Sequence, residues 1–228
     1  GWKRSAIGPG AKAGGPNYLL TLSDWGSARA VNKEDIATKT VNRLLALAAE
    51  DQMSNSDLES LLGGAQSDQV ALRSIYSVQT DPSNLKLEAN RFRYTRSDCQ
   101  LRIQEDASSW DMFRAVSSIL TLGSGVISAT EVTPRLKAIL RKAKITLLLE
   151  SQEQWLQRIS GNPSRCKVIG SLPEIDSESP LANCDIALYT NPPTASGRIE
   201  LLPYFIEQSV SVTTHRFGTP TQLLEKVG

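Results

Sequence analysis

A chain of 228 residues with 40% hydrophobic and 21% charged residues has ordinary globular composition and can bury about 70% of its unfolded surface. A formal net charge of +1 gives no global pull toward nucleic acid or an anionic membrane surface, and no apolar run approaches the roughly 20 residues that span a bilayer. The single histidine, His215, excludes a His-rich metal site; Cys99, Cys166 and Cys184 form no CxxC pair and accompany no secretory signal, which predicts reduced thiols in a cytoplasmic protein.

The opening "GWKRSAIGPGAKAGGP" is loop chemistry with no initiator Met, and it reads as the end of one folded unit. "NYLLTLSDW" at 17–25 predicts a strand that needs a partner, because nothing in 1–25 supplies an amphipathic face. Ile36, Val41, Leu44, Leu45 and Ala48 predict a helix over 34–52. A short helix follows, capped by Ser54 or Ser56 and stopped by Gly63-Gly64, then a further helical stretch over 66–79. "TDPSN" at 80–84 is a turn and the main expected boundary.

Beyond that turn, strands and helices alternate. "EANRFRYTR" and "CQLRIQED" are strand candidates. "SSWDMFRAVSSILTLG" is a helix with Ser108 or Ser109 as cap, Asp111 in its first turn and Gly123 as stop; "GVISAT" is a buried strand; "TPRLKAILRKA" is a helix with Thr133 as cap and Pro134 in its first turn. "ITLLLES", "QEQWLQRIS", "CKVIGS" and "CDIALYT" continue the alternation. "GRIELLPYFIEQ" is helical at least in part, and "SVSVTTHRF" is the last strand. The whole predicts an α/β fold: a Rossmann-like, doubly wound, mostly parallel sheet over 85–217, preceded by a helical stretch.

Ligands of such sheets sit in turns at the carboxyl ends of strands. No GxGxxG and no GxxxxGK[ST] is present, and Gly123-Ser124-Gly125 leads into a strand, at the wrong end for phosphate. In "NPPTASG", Pro192 and Pro193 remove two backbone donors where an anion would need them. The cysteines read as strand filler; Glu131, Glu150, Glu200 and Glu207 occur singly and read as salt-bridged or solvated. "NRFRYTR", with Arg91, Arg93 and Arg96 beside Phe92 and Tyr94, is preferred as structural over nucleic-acid binding, and His215 as a hydrogen-bonded or interface histidine. No catalytic residue and no metal ligand set emerges.

The stretches "GWKRSAIGPGAKAGGPNYLLTL", "EANRFRY", "VISATEVTP" and "ASGRIELLPYFIEQSVSVTTHRFGTP" resemble the proline utilisation A family of bacterial bifunctional enzymes. The resemblance spans nearly the whole chain, with 30–84 matched only by position. It implies that 1–25 are the tail of a catalytic aldehyde dehydrogenase module running into a β-flap, 26–84 a helical connector, and 85–217 a noncatalytic aldehyde-dehydrogenase-like Rossmann domain. Residues 208–228 would be a terminal strand and tail that cap a neighbouring module. Against working aldehyde dehydrogenases, the resemblance puts Ala129 where a cofactor-binding lysine belongs, and Asn191, Pro192 and Pro193 in front of a retained Gly197 where a Gly-Ser-Thr turn belongs. The catalytic cysteine and glutamate have no counterpart.

What this implies is a domain without cofactor of its own, in a parent protein that uses FAD for proline dehydrogenation and NAD for oxidation of glutamate semialdehyde. The domain would support the aldehyde dehydrogenase module of the same chain and seal the route along which the intermediate passes. Val210, Val212, Thr214, His215, Arg216 and Phe217 would form the interface or lid, and a homodimer could form through the flap. The alternatives are a standalone NAD-dependent aldehyde oxidoreductase and a nucleic-acid module.

Overall fold

The computed structural model describes residues 15–23, 39–85, 88–161, 164–172, 179, 181–182, 184 and 186–213. In chain order they form α1 (Lys39–Glu50), α2 (Asn55–Ala71), a π-helical turn (Leu72–Tyr76), β1 (Glu88–Arg96), β2 (Cys99–Ile103) and α3 (Ser109–Leu122). Then come β3 (Val126–Ala129), α4 (Pro134–Lys142), β4 (Thr146–Leu149), α5 (Gln152–Ser160), β5 (Ser164–Ile169), β6 (Ile186–Tyr189), α6 (Gly197–Glu200) and β7 (Phe205–Thr213).

Five strands form one sheet in the order β4-β3-β2-β5-β6, every pair parallel. The order reverses between β2 and β5, which is the topological switch point of a Rossmann-like sheet. The pleat sends Cys99, Leu101 and Ile103 to a core shared with α1, α2, α3 and α4. Cys166 and Val168 point the other way, to a second core with Trp155 and Ile159 of α5. Helices therefore cover both faces, as the alternation of elements predicts.

The helix starts follow from local chemistry. Ser108 accepts from Asp111 N, Thr133 accepts from Leu136 N with Pro134 in the first turn, and Ser151 with Gln154 closes a capping box. Gly123 ends α3 at φ +73°, in the left-handed region that glycine enters without strain.

Three sequence expectations need correction. First, α2 does not stop at Gly63-Gly64 but runs on to Ala71. The reason is tertiary: Arg114 of α3 lies so close that a Cβ on Gly64 would stand 2.6 Å from its Nε, while one on Gly63 meets nothing within 4 Å. Adjacent substitutions should thus diverge. Gly63→Ala should stabilise the protein by about 0.5–1 kcal/mol through helix propensity. Gly64→Ala should destabilise it by about 1–3 kcal/mol through overpacking. Urea unfolding of both variants checks this.

Second, Leu19–Leu22 form one turn of 3₁₀-helix, not a strand. Tyr18 N donates to Gly15 O and Leu20 N to Asn17 O, so the chain coils on itself instead of pairing. Asn17 is buried; its backbone N and Nδ2 donate to Glu207 Oε1 at 3.2 and 2.8 Å, and Nδ2 also donates to the Tyr94 hydroxyl at 2.7 Å. This part of the 1–25 segment is anchored more firmly than its sequence suggests. Residues 1–14 and 24–25 lie outside the described residues.

Third, the helix near the end is brief. α6 spans four residues, Leu202–Tyr204 tighten into 3₁₀, and β7 starts at Phe205, not near Ser209. Pro203 has no N–H to continue an α-helix. Phe205 stacks on Tyr76 at 4.3 Å between centroids, which fixes where the extended chain begins.

β7 pairs antiparallel with β1 from Arg96↔Phe205 to Glu88↔Thr213, a two-stranded ribbon separate from the five-stranded sheet. Its base is an aromatic group of Tyr76, Tyr94 and Phe205.

Candidate functional site

The carboxyl ends of the parallel strands are where the fold would hold a ligand. Ala129 ends β3, buried, with its carbonyl accepting from Glu150 N at 3.0 Å. Asn191, Pro192, Pro193 and Gly197 form the turn between β6 and α6. Both features lie on the same sheet edge, but β2 and β5 separate them, about 14 Å at ~4.8 Å per strand. The structure joins the four turn residues and keeps Ala129 apart; a molecule touching both would have to cross the switch point.

At the switch point the segments after β2 and β5 are tied to each other. Gly170 takes φ +88°, and a Cβ there would stand 2.4 Å from Asp106 Oδ1 and 2.7 Å from Gln104 Cβ. The Asp106 carboxylate accepts from Ser171 N at 3.0 and 3.1 Å. Side-chain and backbone hydrogen bonds from Ser171 hold the Asp106 carboxyl below its ordinary range, which sets a carboxylate at the switch point.

The turn itself is engaged from within. Thr194 N donates to Glu200 Oε2 at 2.9 Å, and Thr194 O accepts from Arg114 Nε at 2.7 Å. Gly197 N donates to Ser67 Oγ of α2 at 2.8 Å. A Cβ on Gly197 would stand 2.4 Å from Ser67 O and 2.5 Å from the Asp68 backbone, so α2 lies directly against the start of α6. Only glycine fits this contact between the two helices.

Two ion pairs, unsignalled by the sequence, hold this arrangement. Arg114 donates from both terminal nitrogens to Asp68 at 2.7 and 2.6 Å, with both side chains fully buried. Lys167 of β5 donates to Glu200 at 2.5 Å, also buried. Burial pushes the Asp68 carboxyl up to about 6 against the pull of Arg114. Burial also acts to raise Glu200, but Lys167 and Arg114 outweigh it and its carboxyl ends below the ordinary value.

Because Glu200 titrates lower when folded, the stability it contributes is present above its unfolded value of 4.5 and fades as the pH falls through the folded one. The stability deficit of Glu200→Gln should therefore be largest at neutral pH and shrink below 4.5, as read by denaturant unfolding on both sides.

On the opposite sheet face, Arg102 is fully buried. It donates to Ser128 Oγ at 2.9 Å and Glu150 O at 3.1 Å, and lies over the Trp155 ring at 5.4 Å. Glu150 accepts from Arg158 at 2.5 Å. Glu150 and Glu200 thus sit in salt bridges. Glu207 accepts from Asn17.

Burial pushes the Cys99 thiol up to about 12 and Cys166 well above its usual value, so neither is a thiolate at neutral pH. Arg93 donates to Gln208, and Arg91 shares its side of the ribbon; Phe92 and Tyr94 take the other side together with Arg96, whose guanidinium lies over the Phe205 ring at 5.3 Å and donates to Ser124 O. Among the described residues no group of three or more His, Cys, Asp and Glu could hold a metal, and no helix is long and apolar enough to cross a membrane. Val210 and Val212 lie half-buried in β7; Thr214, His215, Arg216 and Phe217 lie outside the described residues.

No family model and no curated protein matches the sequence. Among solved structures, proline utilization A from Corynebacterium freiburgense shares 28% identity with a TM-score of 0.59, over 95% of this chain and 19% of that one. Nearly the whole chain is similar to a stretch of proline utilization A. The chain spans about a fifth of that protein's length. Proline utilization A from Bdellovibrio bacteriovorus, inactivated by N-propargylglycine, shares 11% identity with a TM-score of 0.40, over 56% of this chain and 16% of that one. A NAD-dependent benzaldehyde dehydrogenase from Corynebacterium glutamicum shares 14% with a TM-score of 0.38, over 67% and 42%.

Proposed function

We propose that this chain is a noncatalytic, aldehyde-dehydrogenase-like domain of a cytoplasmic proline utilization A. In this role it has no cofactor of its own; it supports the NAD-dependent aldehyde dehydrogenase module and helps seal the passage of the intermediate between that module and the FAD-dependent one. The observation that carries this is the engaged turn. Thr194 N and Gly197 N donate within the protein, Pro192 and Pro193 have no N–H, and α2 lies where the turn would open. Ala129 supplies no cation on the other side.

Calorimetric titration tests the reading. NAD should bind with a dissociation constant weaker than about 100 μM, equivalent to about −5.5 kcal/mol. Tighter binding would restore the standalone oxidoreductase.

The lid role belongs to β7 and the residues after it. β7 has β1 on one side only among the described residues, so its other edge can extend a neighbouring sheet. Residue 208 lies inside β7, and removing 208–228 would also strip β1 of its partner. Removing 214–228 leaves the ribbon intact. In the parent protein that truncation should introduce a lag in NADH formation from proline, while dye-coupled proline oxidation is unchanged. NADH formation without a lag, at the parent rate, would refute the lid.

A further inference from the structure

A groove of about 700 Å³ opens between the π-helical turn, the ribbon and α6. Its walls include Ile75, Val78, Pro82, Phe92 and Tyr94, and Arg198 lines it as well. The size falls in the range of small-molecule sites, which are mostly apolar with a few placed polar groups. α6 is turned so that Gly197 and Glu200 face the buried network while Arg198 is exposed on the groove side. The Arg198 carbonyl is held by the Tyr76 hydroxyl at 2.5 Å, which fixes the backbone that carries the guanidinium.

We propose that this groove binds a small monocarboxylate with an apolar body. Arg198 makes no ion pair and no side-chain hydrogen bond among the described residues, and none of the described residues lining the groove is acidic. A guanidinium fork without a partner in an acid-free, largely apolar groove matches a carboxylate in charge and shape. Tyr94 adds a second donor. Its hydroxyl accepts from Asn17 Nδ2 at 2.7 Å, which leaves its own proton to give, and burial keeps the phenol protonated above its ordinary range. Phe92 meets Tyr94 edge-on at 5.2 Å, a wall for an aromatic or aliphatic tail. The proposal is independent of the noncatalytic reading, because the groove shares no lining residue with the carboxyl edge of the sheet.

Calorimetry on the full chain with 4-phenylbutyrate, and with its uncharged amide as the matched probe, tests the proposal. The acid should bind at least about tenfold more tightly than the amide, the size of effect that a charge-assisted pair gives. Arg198→Gln should bring the acid down to the level of the amide and leave the amide unchanged; Phe92→Ala should weaken both. No binding of the acid, equal binding of acid and amide, or an acid affinity untouched by Arg198→Gln would each overturn it. The comparison of the two probes on the parent chain stands even if a variant fails to fold.

Discussion

Asp68→Ala should lower stability by about 3–5 kcal/mol, because it strands the Arg114 guanidinium in a fully buried site. The size comes from the uncompensated charge more than from the value of the pair. Replacing both partners, as in Asp68→Ala with Arg114→Met, should therefore recover much of the loss, since apolar substitution of a buried pair is often neutral or favourable. Recovery should be incomplete: Thr194 O would lose its donor, and an unpaired buried carbonyl costs about 1–3 kcal/mol. Chemical denaturation of the single and double variants gives the comparison. A single variant within about 1 kcal/mol of the parent would show that water reaches the site, contrary to its complete burial.

Gly197→Ala should cost about 3 kcal/mol, the upper part of the range for overpacking. The methyl group would meet α2 backbone at 2.4 and 2.5 Å, and backbone cannot rotate out of the way as a side chain can. Ser67→Ala separates the steric part from the polar part. It leaves Gly197 N without its acceptor and should cost about 1–3 kcal/mol with no clash. Neither variant should gain affinity for NAD, because the prolines still supply no donors. A Gly197→Ala protein as stable as the parent would mean that α2 does not rest on the turn.

The parts of the fold that depend on neighbours in sequence were legible. Thr133 before Pro134, a serine at 108 or 109 ahead of Asp111, and Gly123 after an apolar run each act within one helical turn, and the structure picks Ser108. The alternation of strands and helices carries the sheet because its parallel crossovers need helices between them. Gly63 and Gly64 misled for the same reason: they are local signals of a stop, overridden by an arginine fifty residues further on. "NYLLTL" has strand composition, but Asn17 ties the segment to Glu207 and no partner strand is within reach among the described residues.

The candidate site divides in the same way. The missing donors at Pro192 and Pro193 and the small side chain at Ala129 are visible as residue types. The pairing of Asp68 with Arg114 and of Lys167 with Glu200 is not. Each pair joins positions 46 or 33 residues apart, and charge alone does not separate a buried partner from a solvated one. Arg102 was hidden too, since an arginine amid strand residues reads as exposed until its neighbours are known.

The ribbon has a mechanical consequence. Its far end sets Glu88 beside Thr213, but the chain before Glu88 is held in the body, with Thr80 bridged to Phe92 and α1 and α2 in the core, so only the Thr213 side leads away. A pull on the polypeptide that continues beyond Thr213 acts on the open end of an antiparallel pair, where bonds separate one rung at a time instead of shearing together. β7 would peel from β1, from Thr213 toward Phe205, before any strand of the five-stranded sheet felt the strain. It is a tear strip whose stop is the stacked pair of Tyr76 and Phe205.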